Sequence, residues 1–97
     1  MKTTIRGRHL EVTEGIRSYA EKRFKKLETY FTHIDETEVV LKHDDKKEYG
    51  VEVIVMARGN RYVVKSKGQE LYTEIDNAKE KIKSILRKEH QKIVENK

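Results

Sequence analysis

Two segments of the chain carry apolar residues at helical spacing, and each segment has only one apolar stripe. In residues 14–31 the stripe runs at intervals of three and four: Ile16, Ala20, Phe24, Leu27 and Phe31. In residues 70–94 it consists of Leu71, Ile75, Ala78, Ile82, Ile85 or Leu86, and Ile93. A helix with one stripe must bury that stripe against another element, so both predicted helices need a common surface.

The rest of the chain predicts four strands that supply this surface. They are residues 3–8, 38–43, 49–58 and 61–67, with turns at 44–48 and at Gly59–Asn60. The order is β-α-β-β-β-α, an α+β fold with a four-stranded mixed sheet and both helices on one face. A right-handed crossover makes the first two strands parallel, and the others form an antiparallel meander. This arrangement resembles a double-stranded-RNA-binding domain with an extra N-terminal strand.

Length and composition narrow the class of protein. The 97 residues fit one domain, which we take as 1–97. The chain has no cysteine and no apolar stretch long enough for a signal peptide or a membrane helix, so we expect a cytoplasmic protein that does not contact membranes. The net charge of +5 and the pI of about 9.4 suit an anionic partner.

Charges on the first predicted helix are segregated by sign. At about 100° per residue, Glu14, Glu21 and Glu28 fall on one flank of the apolar stripe. The opposite flank carries cations and aromatics: Tyr19, Lys22, Arg23, Lys26 and Tyr30. Lys25 points to solvent. A lysine-rich flank is as often merely solvated as it is a binding surface. The two tyrosines either stack on RNA bases or pack at the edge of the core.

The second predicted helix carries cations on both sides of its stripe. Lys79, Lys83, Arg87 and His90 lie on one side, and Lys81, Lys88 and Lys92 lie on the other. Cations of both helices that face a shared groove would repel one another unless an anion such as a polyphosphate lay between them. The predicted RNA-binding residues are Lys22, Arg23, Lys26, Lys79, Lys81, Lys83, Arg87, Lys88 and Lys92.

Three phrases of the sequence are similar to the ribosome hibernation-promoting factor and ribosome-associated inhibitor A family. "IRGRHLEVTEGIRSYAEKRFKKLETYF" resembles its opening strand and first helix, and "VVLK" its second strand. "GQELYTEIDNAKEKIKSILRKEH" resembles its second helix, with an acidic–aliphatic–Tyr–x–x–Ile–Asp phrase that begins at Glu70. The resemblance covers nearly the whole chain and keeps the order of elements.

This resemblance implies a stress or stationary-phase protein that occupies the mRNA and tRNA channel of the small ribosomal subunit and inhibits translation. By this resemblance, the positions at which the family usually carries cations are Arg17, Arg23, Lys26, Lys81 and Lys88. We expect the last four of these to line the groove between the helices. Ser84 and Ile85 depart from the family pattern, whereas Lys79 and Lys83 are additional cations. The chain ends soon after the second helix, so we expect a short family member or the N-terminal domain of a longer one.

Other kinds of site are less well supported. The spacing of His43, Asp44 and Asp45 matches no metal-ligand pattern, and a capped, solvated turn explains these residues better. His9 is a candidate phosphate contact. No catalytic constellation is evident, so we predict a protein that is not an enzyme and has no metal, cofactor or small-molecule substrate. The alternatives are a general double-stranded-RNA-binding module and a protein–protein adaptor that uses the open face of the sheet.

Overall fold

The computed structural model describes residues 1–45 and 47–95, with side chains described as far as Gln91. Six elements follow one another along the chain: β1 (Lys2–Arg8), α1 (Glu14–Tyr30), β2 (Ile34–His43), β3 (Tyr49–Ala57), β4 (Asn60–Gly68) and α2 (Leu71–Glu95). The four strands form one sheet in the order β1-β2-β3-β4. β1 pairs with β2 in parallel and the other pairs are antiparallel, which confirms the predicted α+β fold.

The core lies between the helices and one face of the sheet. Every second residue of β3 from Val51 to Ala57 is buried, and these side chains face the helices. The helices contribute the predicted stripes: Ala20, Phe24 and Leu27 from α1, and Leu71, Ile75, Ala78, Ile82 and Leu86 from α2. Ile16, Phe31 and Ile85 pack against this cluster and are only partly buried. The helices therefore cover one face of the sheet and leave the other open.

Local hydrogen bonds explain where α1 begins and how the β2–β3 hairpin turns. Thr13 caps α1, because its hydroxyl oxygen accepts a hydrogen bond from the Ile16 amide at 3.3 Å. In the β2–β3 hairpin, an Asp44 carboxylate oxygen accepts a hydrogen bond from the Glu48 amide at 3.0 Å, which is the turn-capping role expected there.

Within the described part of the chain, neither helix is long and apolar enough to cross a membrane.

Two predicted boundaries were wrong. The second strand begins at Ile34 and not at residue 38, because Ile34 and Thr37 both reach the core across a register shift in the pairing with β3. The β3–β4 turn is centred on Arg58 and Gly59, one residue earlier than predicted. Both have positive φ, 52° and 78°, and Ala57 pairs with Asn60. A two-residue hairpin turn of this kind needs positive φ at both central positions, and here an arginine takes the first.

Candidate nucleic-acid interface

The helices meet through four polar and aromatic side chains. The Tyr19 hydroxyl donates to an Asp76 carboxylate oxygen at 2.8 Å, and the Arg23 Nε donates to the other oxygen at 2.9 Å. The Tyr19 ring packs edge-on against the Tyr72 ring, with centroids 4.6 Å apart. Tyr19 and Arg23 are one turn apart on α1, as are Tyr72 and Asp76 on α2, so each helix presents a matched pair.

Asp76 compensates the charge of Arg23 at this contact. The guanidinium lies over the Tyr19 ring, 4.4 Å from its centroid, and also donates to the Tyr19 hydroxyl. Hydrogen bonds from Arg23 to Tyr19 and then to Asp76 raise the pKa of Arg23. Burial raises the pKa of Tyr19, and the hydrogen bond to Asp76 raises it further. Arg23 is therefore part of the helix–helix contact, and a carboxylate already accompanies one predicted RNA-binding cation.

The C-terminal end of α1 carries an exposed aromatic ring beside a cation of α2. The Lys83 ammonium lies 4.5 Å from the centroid of the Tyr30 ring. Tyr30 is 52% exposed, whereas the side chain of Lys79, one turn before Lys83, is only 12% exposed and lies 3.5 Å from Glu80. Lys83 is therefore a half-buried cation on the helix–helix surface, and Lys79 is largely covered.

Two further cations of α1 are open to solvent beside this contact. Lys22 and Lys26 are exposed, and with Arg23, Lys25 and Thr29 they line a shallow depression on the helix surface. We define the interhelical surface as Lys22, Arg23 and Lys26 of α1 with Asp76 and Lys83 of α2, together with the ring of Tyr30. Arg87 is exposed one turn beyond Lys83, whereas the side chain of the predicted Lys92 lies outside the described residues.

The prediction that Lys81 and Lys88 line the groove was wrong. The Lys81 ammonium donates to the main-chain carbonyl oxygen of Lys65 in β4 at 2.7 Å, on the side of α2 that faces away from α1. Lys88 is exposed two turns further along the same side of α2. The helical pattern alone defined two basic sides, and the docking of Tyr72 and Asp76 against α1 determines which side faces the groove. The predicted cations therefore form two separate surfaces.

The acidic flank of α1 also has structural contacts. Glu28 lies 3.0 Å from the amino group of Met1, and Arg17 on this side donates to the carbonyl oxygen of Ile5 in β1 at 3.4 Å. This flank therefore faces the β1 edge, and Arg17 makes a contact different from that of the other family cations. Both flanks of α1 thus make packing contacts: Arg17 and Glu28 on the acidic side, and Tyr19 and Arg23 with α2 on the basic side.

Sequence reasoning missed the roles of two acidic residues in α2. Asp76 lies in the second turn of α2 and binds across to α1. Its spacing of four from Tyr72 was the available signal. Glu74 is only 7% exposed and accepts a hydrogen bond from the Ser66 hydroxyl of β4. Its position beside the apolar stripe gave no sign of this buried partner.

Residues 3–94 match the family described as sigma 54 modulation protein / S30EA ribosomal protein. The chain belongs to this family. A ribosome hibernation promoting factor from Acidithiobacillus ferridurans is 36% identical over 78 residues, which cover 78% of this chain and 100% of the relative. One of the same name from Escherichia coli (strain K12) is 31% identical over 93 residues, covering 96% of this chain and 97% of the relative.

Two solved structures share the fold of this chain. The crystal structure of the Thermus thermophilus Protein Y N-terminal domain has a TM-score of 0.82 and 29% identity, and the match covers 91% of this chain and 98% of that one. A ribosomal subunit interface protein from Coxiella burnetii has a TM-score of 0.86 at 16% identity, over 94% of this chain and 99% of that one. The second likeness shows the shared fold alone.

Proposed function

We propose that this protein is a ribosome-binding hibernation factor that acts without catalysis. In this proposal residues 1–97 form one ribosome-binding domain, which occupies the mRNA and tRNA channel of the small ribosomal subunit in the cytoplasm under stress or in stationary phase. The observation that carries the proposal is the family match over residues 3–94, together with relatives that are named for ribosome hibernation. Inhibition is steric, because a folded domain in the channel excludes mRNA and tRNA.

The interhelical surface supports an RNA partner on physical grounds. The exposed Lys22 and Lys26 and the half-buried Lys83 lie beside an exposed aromatic ring, a combination that suits a phosphate backbone with unstacked bases. Neutralisation of several phosphates releases counterions, which favours binding at low salt. The outer surface with Lys81 and Lys88 is a second candidate contact, since a domain that fills a channel has RNA on more than one side.

The experiment that tests this function compares charge reversals on the interhelical surface with charge reversals on the outer side of α2. Lys26→Glu with Lys83→Glu alters the interhelical surface, and Lys81→Glu with Lys88→Glu is the control with the same change of charge on the outer side. Affinity for purified small subunits is measured by co-sedimentation, with initiator tRNA as competitor. We expect the first pair to weaken binding about a hundredfold and the control pair less than about tenfold.

Three results would contradict the proposal in different ways. Equal affinity for small subunits and for arbitrary RNA duplexes would favour the general double-stranded-RNA-binding module. Binding to subunits without competition from initiator tRNA would exclude occupancy of the channel. Failure to bind either small subunits or RNA duplexes would favour a protein–protein adaptor that uses the open face of the sheet, where Ile54, Met56 and Val63 are partly exposed.

A further inference from the structure

We infer that Tyr30 is a nucleobase-stacking site, at which one unstacked base of the bound RNA packs on the phenol ring at the C-terminal end of α1. This inference rests on the proposed function, because it names a contact that the same surface makes with ribosomal RNA. It concerns the base at one position, whereas the cations of the interhelical surface contact the backbone.

Exposure distinguishes Tyr30 from the other large apolar side chains. Among the residues that the structure describes, its side chain is the most exposed of these, at 52%, followed by Tyr72 at 44% and Val63 at 37%. Tyr30 is the last residue of α1 and directs much of its apolar surface to solvent beside the interhelical cations.

The contacts of the ring leave room for a base. Lys83 covers one face, with its ammonium 4.5 Å from the centroid, and Phe31 lies 6.4 Å away at an angle of 61°. A base on the remaining face would therefore complete a stack of cation, ring and base. The last turn of α1 has no basic residue of its own, so Lys83 also supplies the positive charge that favours this helix end.

Cations on both helices flank the ring where phosphates of the same strand would lie. Lys26 is exposed one turn before Tyr30 on α1, and Lys83 approaches from α2. An aromatic platform between two cations is the arrangement with which proteins hold unpaired nucleotides, because each base offers a π face and its neighbours carry the charge.

Three other tyrosines, two at the helix–helix contact and one in the sheet, are already engaged in packing. Tyr19 donates its hydroxyl to Asp76 and packs edge-on against Tyr72, so both rings contribute to the docking of the helices. Tyr49 is stacked on His43, at a centroid distance of 4.5 Å and an interplanar angle of 14°. Of the two tyrosines considered for stacking from the sequence, the structure thus leaves Tyr30 available and uses Tyr19 internally.

The test is an affinity series at one position. Tyr30→Phe and Tyr30→Trp retain an aromatic face, whereas Tyr30→Leu retains apolar bulk without one. Tyr49→Leu is the matched control, since it removes a tyrosine from the β2–β3 end of the sheet. Dissociation constants for purified small subunits are measured by co-sedimentation, and thermal unfolding shows that each variant is folded.

We expect the Phe and Trp variants to bind within about twofold of the natural protein and the Leu variant to bind about tenfold more weakly, with little change in the control. Equal affinities for the Phe and Leu variants, whether both strong or both weak, would overturn base stacking and leave the proposed function in place. Failure of the natural protein to bind small subunits would instead overturn the proposed function itself.

Discussion

At the scale of single residues, Asp76 decides how the basic surface is organised. Its carboxylate binds Tyr19 and Arg23 of α1, and all three side chains are only partly buried. A carboxylate in a surface meant for phosphates opposes binding, so its presence needs a structural reason. That reason is register: the hydrogen bonds fix which turn of α2 lies against Tyr19, and hence bring Lys83 over Tyr30.

The Asp76→Asn variant tests this arrangement through the pKa of Tyr19. We expect that pKa to fall, because the variant lacks the carboxylate that accepts the phenolic proton. Tyrosinate absorbance during alkaline titration measures the change, and Glu80→Gln, which removes an exposed carboxylate from the same helix, serves as the control. Identical titrations of the natural protein and the Asp76→Asn variant would contradict the assigned hydrogen bond.

The raised pKa of Tyr19 also makes stability depend on pH. In the unfolded chain a tyrosine titrates at about 10, and in the folded protein Tyr19 holds its proton to higher pH. Its contribution to the free energy of unfolding is therefore complete below pH 10 and is lost as the pH rises through the folded-state pKa. Denaturant unfolding on both sides of pH 10 should show a smaller loss in Tyr19→Phe, and an equal loss would contradict this linkage.

At the scale of elements, two glycines near α1 meet opposite constraints. A Cβ on Gly7, in β1, would overlap the carbonyl oxygen of Leu10 and lie 2.9 Å from Val12 Cγ2. A Cβ on Gly15, in the first turn of α1, would lie 3.9 Å from the Tyr72 hydroxyl, which is an ordinary contact. The link from β1 to α1 thus needs a glycine at position 7, whereas α1 only tolerates the glycine at position 15.

This contrast predicts stability changes of opposite sign for the same substitution. Gly7→Ala should lower the free energy of unfolding by about 2 kcal/mol, because the main chain around Leu10 must move. Gly15→Ala should raise it by about 0.5–1 kcal/mol, because alanine loses less conformational entropy in a helix. Urea unfolding measures both changes. An unchanged stability of Gly7→Ala would contradict the close approach of Leu10 to β1, and a destabilised Gly15→Ala would contradict the open space at Gly15.

At the scale of the whole molecule, the predicted RNA-binding cations are spread over two sides of α2 and one flank of α1. The net charge of +5 is therefore not concentrated in one patch. Lys22, Lys26 and Lys83 belong to the interhelical surface, whereas Lys81 binds the β4 main chain on the opposite side. A domain with cations on several sides suits a binding site that surrounds it with RNA phosphates better than it suits a contact with one face of a duplex.

We expect the affinity for small subunits to be strongly salt-dependent. Four phosphate contacts give a slope of about −3 in log affinity against log salt, so a fourfold rise in salt weakens binding about sixtyfold. Lys83→Met should reduce the magnitude of the slope by about one, and Lys47→Met, in the exposed β2–β3 hairpin, should leave it unchanged. Binding that is insensitive to salt would contradict an interface built on phosphates.

The sequence by itself determined the order of elements, the parallel first pair of strands and most of the core. Phe24, Leu27, Ile75 and Ile82 follow helical spacing, and spacing reports burial because each helix has one apolar stripe. It also placed Lys22 and Lys26 on an exposed flank of α1. These features are local, since they depend on the period of the helix or strand and on the residues within a few positions.

Only the tertiary structure decided which basic side of α2 meets α1. A helical pattern fixes angles around one axis, and it carries no information about the neighbour on either side of that axis. The docking of Tyr72 and Asp76 against Tyr19 and Arg23 turns Lys83 toward the groove and Lys81 toward β4. Contacts between residues more than fifty positions apart made that choice, and for that reason the sequence placed Lys81 and Lys88 on the wrong side.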